Sequence, residues 1–148
     1  MSPIYDPANF DPYRSVARLM TRVKTEMMNA LDRELAPFGV SAAQYVVLVR
    51  LAYDKKNETA SALCEGVSYD PGAMTRMIDR LEAKGLVRRV RTPSDRRRVL
   101  IELTDEGRAI CPELIARAVG VLNRILDGFT PEDVAQLELL LQRMLANA

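Results

Sequence analysis

The stretch from Asp70 to Thr104 constrains the fold of this chain most, because in it one helix leads directly into an arginine-tipped hairpin. Asp70 is a good N-cap, and Pro71 fits the first helical position, where no N–H is needed. Gly85 ends this helix. Two short strands follow, separated by a turn that carries three consecutive arginines. The pattern predicts a helix with a charged outer face joined to a basic hairpin.

The same stretch is strongly basic, although the chain as a whole is nearly neutral. Residues 72–100 contain nine basic and three acidic side chains, so this segment carries +6 and the remainder carries −5, for a total of +1. A local basic patch neutralises phosphates and releases counterions whatever the net charge of the whole chain. The charge pattern therefore favours a polyanion as the partner of this segment.

Apolar residues recur at steps of three and four along the rest of the chain, which is typical of helices. The predicted helices cover residues 13–35, 41–53, 59–67, 71–84, 105–127 and 130–145, and the predicted strands cover residues 86–91 and 99–103. The first twelve residues contain three prolines and are expected to form an extended arm. Residues 54–58 are expected to be a polar break, and Ser68 and Tyr69 a tight connection. The fold class is mainly α with six helices and a small β-hairpin wing.

Two helices joined by a short turn and followed by a hairpin are the order of a winged helix-turn-helix. The 148 residues correspond to one domain. The terminal helices carry more apolar surface than a small core buries, and helix-turn-helix proteins place two recognition helices about 34 Å apart. We therefore favour a homodimer over the alternative that these helices pack only within one chain. Residues 41–104 are assigned to the DNA-binding part, and residues 10–36 and 105–148 to the dimer interface.

Composition excludes several function classes. The chain has no histidine and two distant cysteines, so a zinc site of the usual ligands, a disulfide framework and a histidine-based nucleophile pair are not expected. It has no glycine-rich phosphate loop. No apolar run approaches the ~20 residues that span a bilayer, and the N-terminus lacks a signal-peptide pattern. We expect a cytoplasmic protein that is not an enzyme, with no cofactor, no metal and no membrane.

The outer face of the helix after Asp70 supplies the first candidates for DNA contact. Small residues there permit close approach, a hydroxyl contacts bases or phosphates, and arginine pairs bidentately with guanine. The candidates are Gly72, Ala73, Thr75, Arg76 and Arg80. Arg76, Arg80 and Lys84 also form a like-charge ladder, which destabilises a helix unless an anion lies opposite. The alternative is an ordinary solvated helix face.

The hairpin tip supplies the second set, Asp95, Arg96, Arg97 and Arg98. A narrow minor groove concentrates negative potential and attracts arginine. Asp95 is expected to hold Arg97 through a charge-assisted hydrogen bond. The alternative is a mobile charged loop.

At this point the chain resembles the multiple-antibiotic-resistance regulator (MarR) family. The matching residues are Thr75 to Val87, Arg89, Asp95 to Arg97, Leu103, Thr104 and Gly107. The resemblance implies a homodimeric transcription factor, usually a repressor, that binds a pseudo-palindromic operator in duplex DNA. It also implies that residues 72–80 contact the major groove, that Arg97 enters the minor groove, and that Asp95 supports Arg97.

The resemblance further implies a pocket between the dimer helices and the winged part that takes phenolic or aromatic carboxylate ligands. Arg14, Arg18 and Tyr45 are the candidate ligand residues, with a solvated or core role as the alternative for each. Ligand binding would release the repressor from DNA by favouring another spacing of the recognition helices.

Three other functions would use other features of the sequence. Cys64 or Cys111 would serve a thiol-based redox regulator, although a free cysteine is more often a small buried hydrophobe. An interaction module that has lost DNA contact is disfavoured by the intact arginine set. An enzyme is disfavoured because no nucleophile–base pair can be proposed.

Overall fold

The computed structural model describes residues 3–53, 58–67 and 69–148. Within these residues it contains six α-helices, one 3-10 helix and a three-stranded sheet. The helices are α1 (Val16–Leu35), α2 (Ala42–Tyr53), α3 (Ala60–Val67), α4 (Pro71–Ala83), α5 (Asp105–Ile125) and α6 (Pro131–Ala146), and the 3-10 helix (Ala36–Phe38) follows α1. The strands are β1 (Glu58–Thr59), β2 (Val87–Arg91) and β3 (Val99–Leu103). The winged helix-turn-helix is thus present as expected, with α3 and α4 as the helix pair.

Side-chain caps fix where the helices begin. Ser15 Oγ accepts a hydrogen bond from the Arg18 N–H at 3.3 Å, so α1 begins at Val16 and not at the expected residue 13. The Asp70 carboxylate accepts from the first-turn N–H groups of α4. The Thr104 hydroxyl accepts from Gly107 N at 3.0 Å at the start of α5. Each cap satisfies a donor that has no partner within its helix.

The sheet has one more strand than the predicted hairpin. β3 lies in the centre and pairs antiparallel with β2 on one side and β1 on the other, with Val90 opposite Leu100 and Glu58 opposite Ile101. A strand of two residues gives no period-two signal, so β1 was missed. Glu58, expected in a polar break, is instead 4% exposed and pairs with Arg50. Residues 54–57 of that break, and Ser68 of the expected connection, lie outside the described residues.

The N-terminal arm is folded back, and the prediction of an extended arm was wrong. The carboxylates of Asp6 and Asp11 each accept a hydrogen bond from the backbone N–H two residues later, which closes two turns. The Tyr5 hydroxyl accepts a hydrogen bond from Val16 N at 3.0 Å, and its ring meets Phe10 edge-on at 5.3 Å. The arm therefore supplies an additional cap for α1.

The core lies between the end of α1, α2, α4, the sheet and α5. Among its fully buried side chains are Leu35, Leu48, Ile78, Leu81 and Leu114. By contrast, no residue of α6 is buried. The winged part, the end of α1 and α5 thus share one core, and α6 extends beyond it.

Gly107 is the point of closest approach between α5 and the base of the wing. A Cβ at this position would overlap the carbonyl oxygen of Leu86 and lie 3.0 Å from its carbonyl carbon and 3.1 Å from Leu103 Cδ2. The same carbonyl oxygen accepts a hydrogen bond from Thr104 N at 3.1 Å. Only glycine leaves room for α5 at this separation.

No single helix in the described ranges has the length and apolar character needed to cross a membrane. Only one pair of consecutive segments in the part of the chain that the structure describes, residues 16–38 and α2, is long and apolar enough when the two are taken together, and the chain bends by 79° between them.

Candidate nucleic-acid interface

The two faces of α4 differ in exposure, and this difference positions the candidate DNA contacts. Met74, Met77, Ile78 and Leu81 are buried and fix one face in the core. The opposite face exposes four of the five expected residues, Gly72, Thr75, Arg76 and Arg80, whereas Ala73 is half-buried. The amphipathic pattern thus places the arginines of α4 outward.

The first turn of α4 is organised by Asp70. Its Oδ1 atom accepts from Gly72 N at 2.9 Å and from Ala73 N at 3.3 Å, so these N–H groups are occupied. Arg76 lies back along this turn, because its Nη1 atom would be 3.4 Å from a Cβ placed on Gly72. The Thr75 hydroxyl donates to the Pro71 carbonyl at 2.9 Å, which leaves its methyl group and oxygen lone pairs for contact. Contact with a nucleic acid at this turn therefore falls to side chains.

Lys84 is exposed, but its ammonium group binds within the protein, so the expected ladder of three like charges facing outward is wrong. Its ammonium group donates to Gln44 Oε1 at 2.9 Å and to the Gly39 carbonyl oxygen. Because its flexible four-carbon stem lets it turn toward α2, only Arg76 and Arg80 of the ladder remain on the exposed face.

The wing tip presents Arg96, Arg97 and Arg98, all exposed. Asp95 holds Arg97 through a charge-assisted hydrogen bond, as expected, and the donor is the backbone of Arg97: the Asp95 Oδ1 atom accepts from Arg97 N at 2.9 Å. An aspartate forms this bond to the N–H two residues later as part of an Asx turn, which closes the tip. The three guanidinium groups form no ion pair with any of the described residues.

Arg89, which the sequence reasoning did not single out, connects the wing to α4. Its guanidinium pairs with Asp79 at 2.6 Å and with Glu82 at 2.9 Å, and its backbone N–H donates to Glu82 Oε2 at 3.0 Å. Partial burial lowers the pKa of Arg89, but the bonds to the two carboxylates outweigh this and raise it above its ordinary value. The helix and the hairpin are therefore held in one relative position.

Internal pairing reduces the number of basic side chains that have no partner among the described residues. Lys84 and Arg89 are engaged as described, and Arg88 pairs with Glu102 at 3.2 Å. The exposed remainder of the nine basic side chains comprises Arg76, Arg80, Arg91, Arg96, Arg97 and Arg98. These six cations lie on two elements that are joined by ion pairs, which is a suitable arrangement for a polyanion.

The three candidate ligand residues differ in their surroundings. Arg14 precedes α1, is 89% exposed at its side chain and lies 3.6 Å from Asp11, and Arg18 is also exposed. Tyr45 is half-buried on α2, and burial, followed by the nearby Tyr53 and Cys111, raises the pKa of its phenol.

An apolar groove lies between α1 and α6, and none of Arg14, Arg18 and Tyr45 lines it. Its volume is about 770 Å³. The walls are almost entirely apolar and include Leu19, Met20, Val23, Leu137, Leu140 and Met144.

The cysteines lack the features of a reactive pair. Cys111 is buried and donates to the Gly107 carbonyl at 3.1 Å, and burial raises the pKa of its thiol against a small opposing effect of Arg108. Cys64 is half-buried in the core of the winged part. Over the described ranges, no group of three or more potential metal ligands is gathered at one place.

Comparisons with known proteins agree with this geometry. The family model described as MarR family matches residues 40–99. The multiple antibiotic resistance protein MarR of Escherichia coli (strain K12) is 37% identical over 140 residues, which cover 92% of this chain and 94% of that protein. A crystal structure of a mutant MarR from E. coli complexed with operator DNA matches with a TM-score of 0.81 and 34% identity, over 92% of this chain and 99% of that one. CouR from Rhodococcus jostii RHA1, bound to p-coumaroyl-CoA, matches with a TM-score of 0.78 and 30% identity, over 88% of this chain and 92% of that one.

Proposed function

We propose, from the premise that this chain belongs to the MarR family, that it is a transcriptional regulator that binds a pseudo-palindromic operator as a homodimer. The observation that carries this proposal is the exposed arginine set on α4 and on the wing tip, held in one relative position by the ion pairs of Arg89. A DNA-bound structure of a relative at 34% identity supports it. The proposed role is regulatory and involves no catalysis.

In the proposed complex α4 lies in the major groove. Arg76 and Arg80 contact guanine edges or phosphates, and the lack of a side chain at Gly72 permits close approach of this turn. The wing tip reaches the adjacent minor groove, where Arg97 inserts and the Asx turn of Asp95 fixes its backbone. Sequence preference therefore comes mainly from α4, and much of the electrostatic attraction from the wing.

The second copy of the chain covers the apolar surface of the terminal helices. Val16, Leu19 and Val23 of α1 are 43%, 52% and 50% exposed, and Leu137 and Leu140 of α6 are 41% and 42% exposed. An apolar face of this extent on helices outside the winged core is typical of an interface. Two-fold symmetry then presents two copies of α4 to two half-sites about one duplex turn, ~34 Å, apart.

Repression and release by a small aromatic ligand complete the proposal. CouR binds an aromatic thioester, and this relative supports an effector of aromatic acid type for this chain. Arg14, Arg18 and Tyr45 remain the candidate ligand residues. Ligand binding would favour a dimer whose recognition helices have another separation, and this change would lower the affinity for the operator. The proposed site of action is the cytoplasm.

Selection of duplexes from a randomised pool, followed by titration at several salt concentrations, tests the proposal. We expect a pseudo-palindromic consensus and an affinity that falls steeply with salt. Arg97→Ala should weaken binding about tenfold or more, and Arg80→Ala should relax the preference at one base position. Arg88→Ala, which removes a wing arginine already paired with Glu102, is the matched control and should change affinity little. Absence of salt-sensitive duplex binding would refute the proposed function.

Thermal-shift measurements against a panel of aromatic acids test the effector. A ligand of the native dimer raises the melting temperature and weakens operator binding in the same concentration range. If no aromatic acid does either, the effector class is wrong while the DNA-binding role stands.

A further inference from the structure

We propose that Lys84 is a positioning residue that fixes the end of α4 to the α1–α2 junction and so sets the separation of the two recognition helices in the dimer. This inference rests on the proposed function. Lys84 belongs to the predicted ladder with Arg76 and Arg80, but its ammonium group is bound at the α1–α2 junction.

The contacts of Lys84 join two segments that are distant in sequence. Its ammonium group donates to Gln44 Oε1 at 2.9 Å and to the Gly39 carbonyl. Gly39 adopts a left-handed conformation with φ of 65° and ends the 3-10 helix after α1. Gln44 lies in the first turn of α2 and is 6% exposed. Lys84 thus contacts the end of one segment and the start of the next.

The junction that receives Lys84 is itself held by hydrogen bonds. Ser41 and Gln44 form a reciprocal capping box, with Ser41 N donating to Gln44 Oε1 and Gln44 N donating to Ser41 Oγ, both at 3.1 Å. Ala42 N donates to Asp32 Oδ1 of α1 at 2.6 Å. A continuous polar network therefore runs from α1 through the start of α2 to the end of α4.

This network links the dimer-forming helix to the DNA-contacting helix. α1 carries the apolar surface proposed to contact the second copy, and α4 carries Arg76 and Arg80. A hydrogen bond from an ammonium group is stronger and more directional than van der Waals contact alone. When Lys84 holds the junction, a displacement of α1 at the dimer interface moves α4 with it.

The test uses the selected operator and a version with one base pair inserted at its centre, which separates the half-sites by a further ~3.4 Å and rotates one by ~35°. The measured quantity is the affinity for the selected operator divided by the affinity for the lengthened duplex. In Lys84→Met we expect this ratio to fall about tenfold, the equivalent of one charge-assisted hydrogen bond. Binding to a duplex with a single half-site should be unchanged, because the Lys84 ammonium group is engaged with Gln44 and is not one of the proposed DNA contacts.

Three further variants separate positioning from a general effect on charge or folding. Lys84→Arg keeps a cationic donor and should restore the ratio. Gln44→Glu keeps the capping acceptor, adds a negative charge opposite Lys84 and should raise the ratio in the parent but not in Lys84→Met. Arg33→Met, which removes an exposed cation from the last turn of α1, is the control and should leave the ratio at the parental value.

The inference is overturned if Lys84→Met discriminates between the two duplexes as well as the parent does, or if Gln44→Glu fails to change the ratio in a folded protein. An equal fall in Arg33→Met would assign the effect to net charge and would also overturn it. If the parent binds no duplex in a salt-sensitive way, the proposed function has failed, and that result is distinct from either outcome.

Discussion

Replacing Gly107 by alanine tests how tightly α5 is packed against the base of the wing. The added methyl group would overlap the carbonyl oxygen of Leu86. That oxygen has little freedom to move, because it accepts a hydrogen bond from Thr104 N at 3.1 Å. Overpacking of this kind costs up to about 3 kcal/mol, and the better helix propensity of alanine returns about 1 kcal/mol. The expected net destabilisation of Gly107→Ala is about 2 kcal/mol.

Denaturant unfolding at a fixed protomer concentration measures this change, since the stability of a dimer depends on concentration. The corresponding fall in melting temperature is about 4–8 °C for a chain of this size. Gly120→Ala is the matched control: it lies in the same helix, but nothing within 4 Å would meet its Cβ, so a gain of up to about 1 kcal/mol is expected. A Gly107→Ala protein as stable as the parent would refute the packing argument.

Three more predictions follow from individual contacts. Arg89→Gln should destabilise the fold by only about 1 kcal/mol, since the ion pairs of Arg89 are partly exposed. The same variant should weaken operator binding several-fold, because the wing is no longer held to α4. Unchanged operator affinity would contradict this role. Asp70→Ala should lower the free energy of unfolding by about 1 kcal/mol, measured by heat or denaturant, because the cap of α4 is lost. Asp70→Asn should keep most of the stability, because asparagine also caps helices. Equal losses in the two variants would exclude capping as the cause. Cys111 should be alkylated more slowly than Cys64 in peptide-mapping experiments at neutral pH, because burial shields its thiol and raises its pKa; faster labelling of Cys111 would contradict this. Because the raised pKa means that the Cys111 thiol ionises more readily in the unfolded chain than in the folded one, ionisation favours unfolding. The free energy of unfolding should therefore begin to fall as the pH rises past the ordinary thiol pKa of about 8.5.

The sequence carried enough information for the winged part because its signals are local. The Asp70–Pro71 start, the Gly85 end and the apolar face of α4 each depend on residues a few positions apart, and the structure confirms all three. The long helices were also predictable, because their apolar periodicity extends over several turns. Only the ends of these helices differ from the prediction. In α1, for example, the Ser15 cap places the first helical residue later than expected.

The parts that failed depend on contacts between distant residues. β1 exists because Glu58 and its neighbour pair with β3, and Glu58 is buried because Arg50 lies beside it. Nothing near Lys84 in the sequence indicates that it turns toward residues about forty positions earlier. Arg89 belonged to the family pattern, but its role needed the positions of two carboxylates on another element. In each case the sequence shows that the side chain is charged, but it does not show which distant residue the side chain contacts.

Because no residue of α6 is fully buried within its own chain, its apolar face is covered only in the assembled dimer. Association of two chains is a second-order equilibrium, so the amount of assembled regulator rises with the square of the free chain concentration when that concentration is low. Operator occupancy would then respond more steeply to the cellular level of this protein than the occupancy of a monomeric repressor does. Modest changes in its synthesis or degradation would be sufficient to change expression of the genes it controls, even with no effector present.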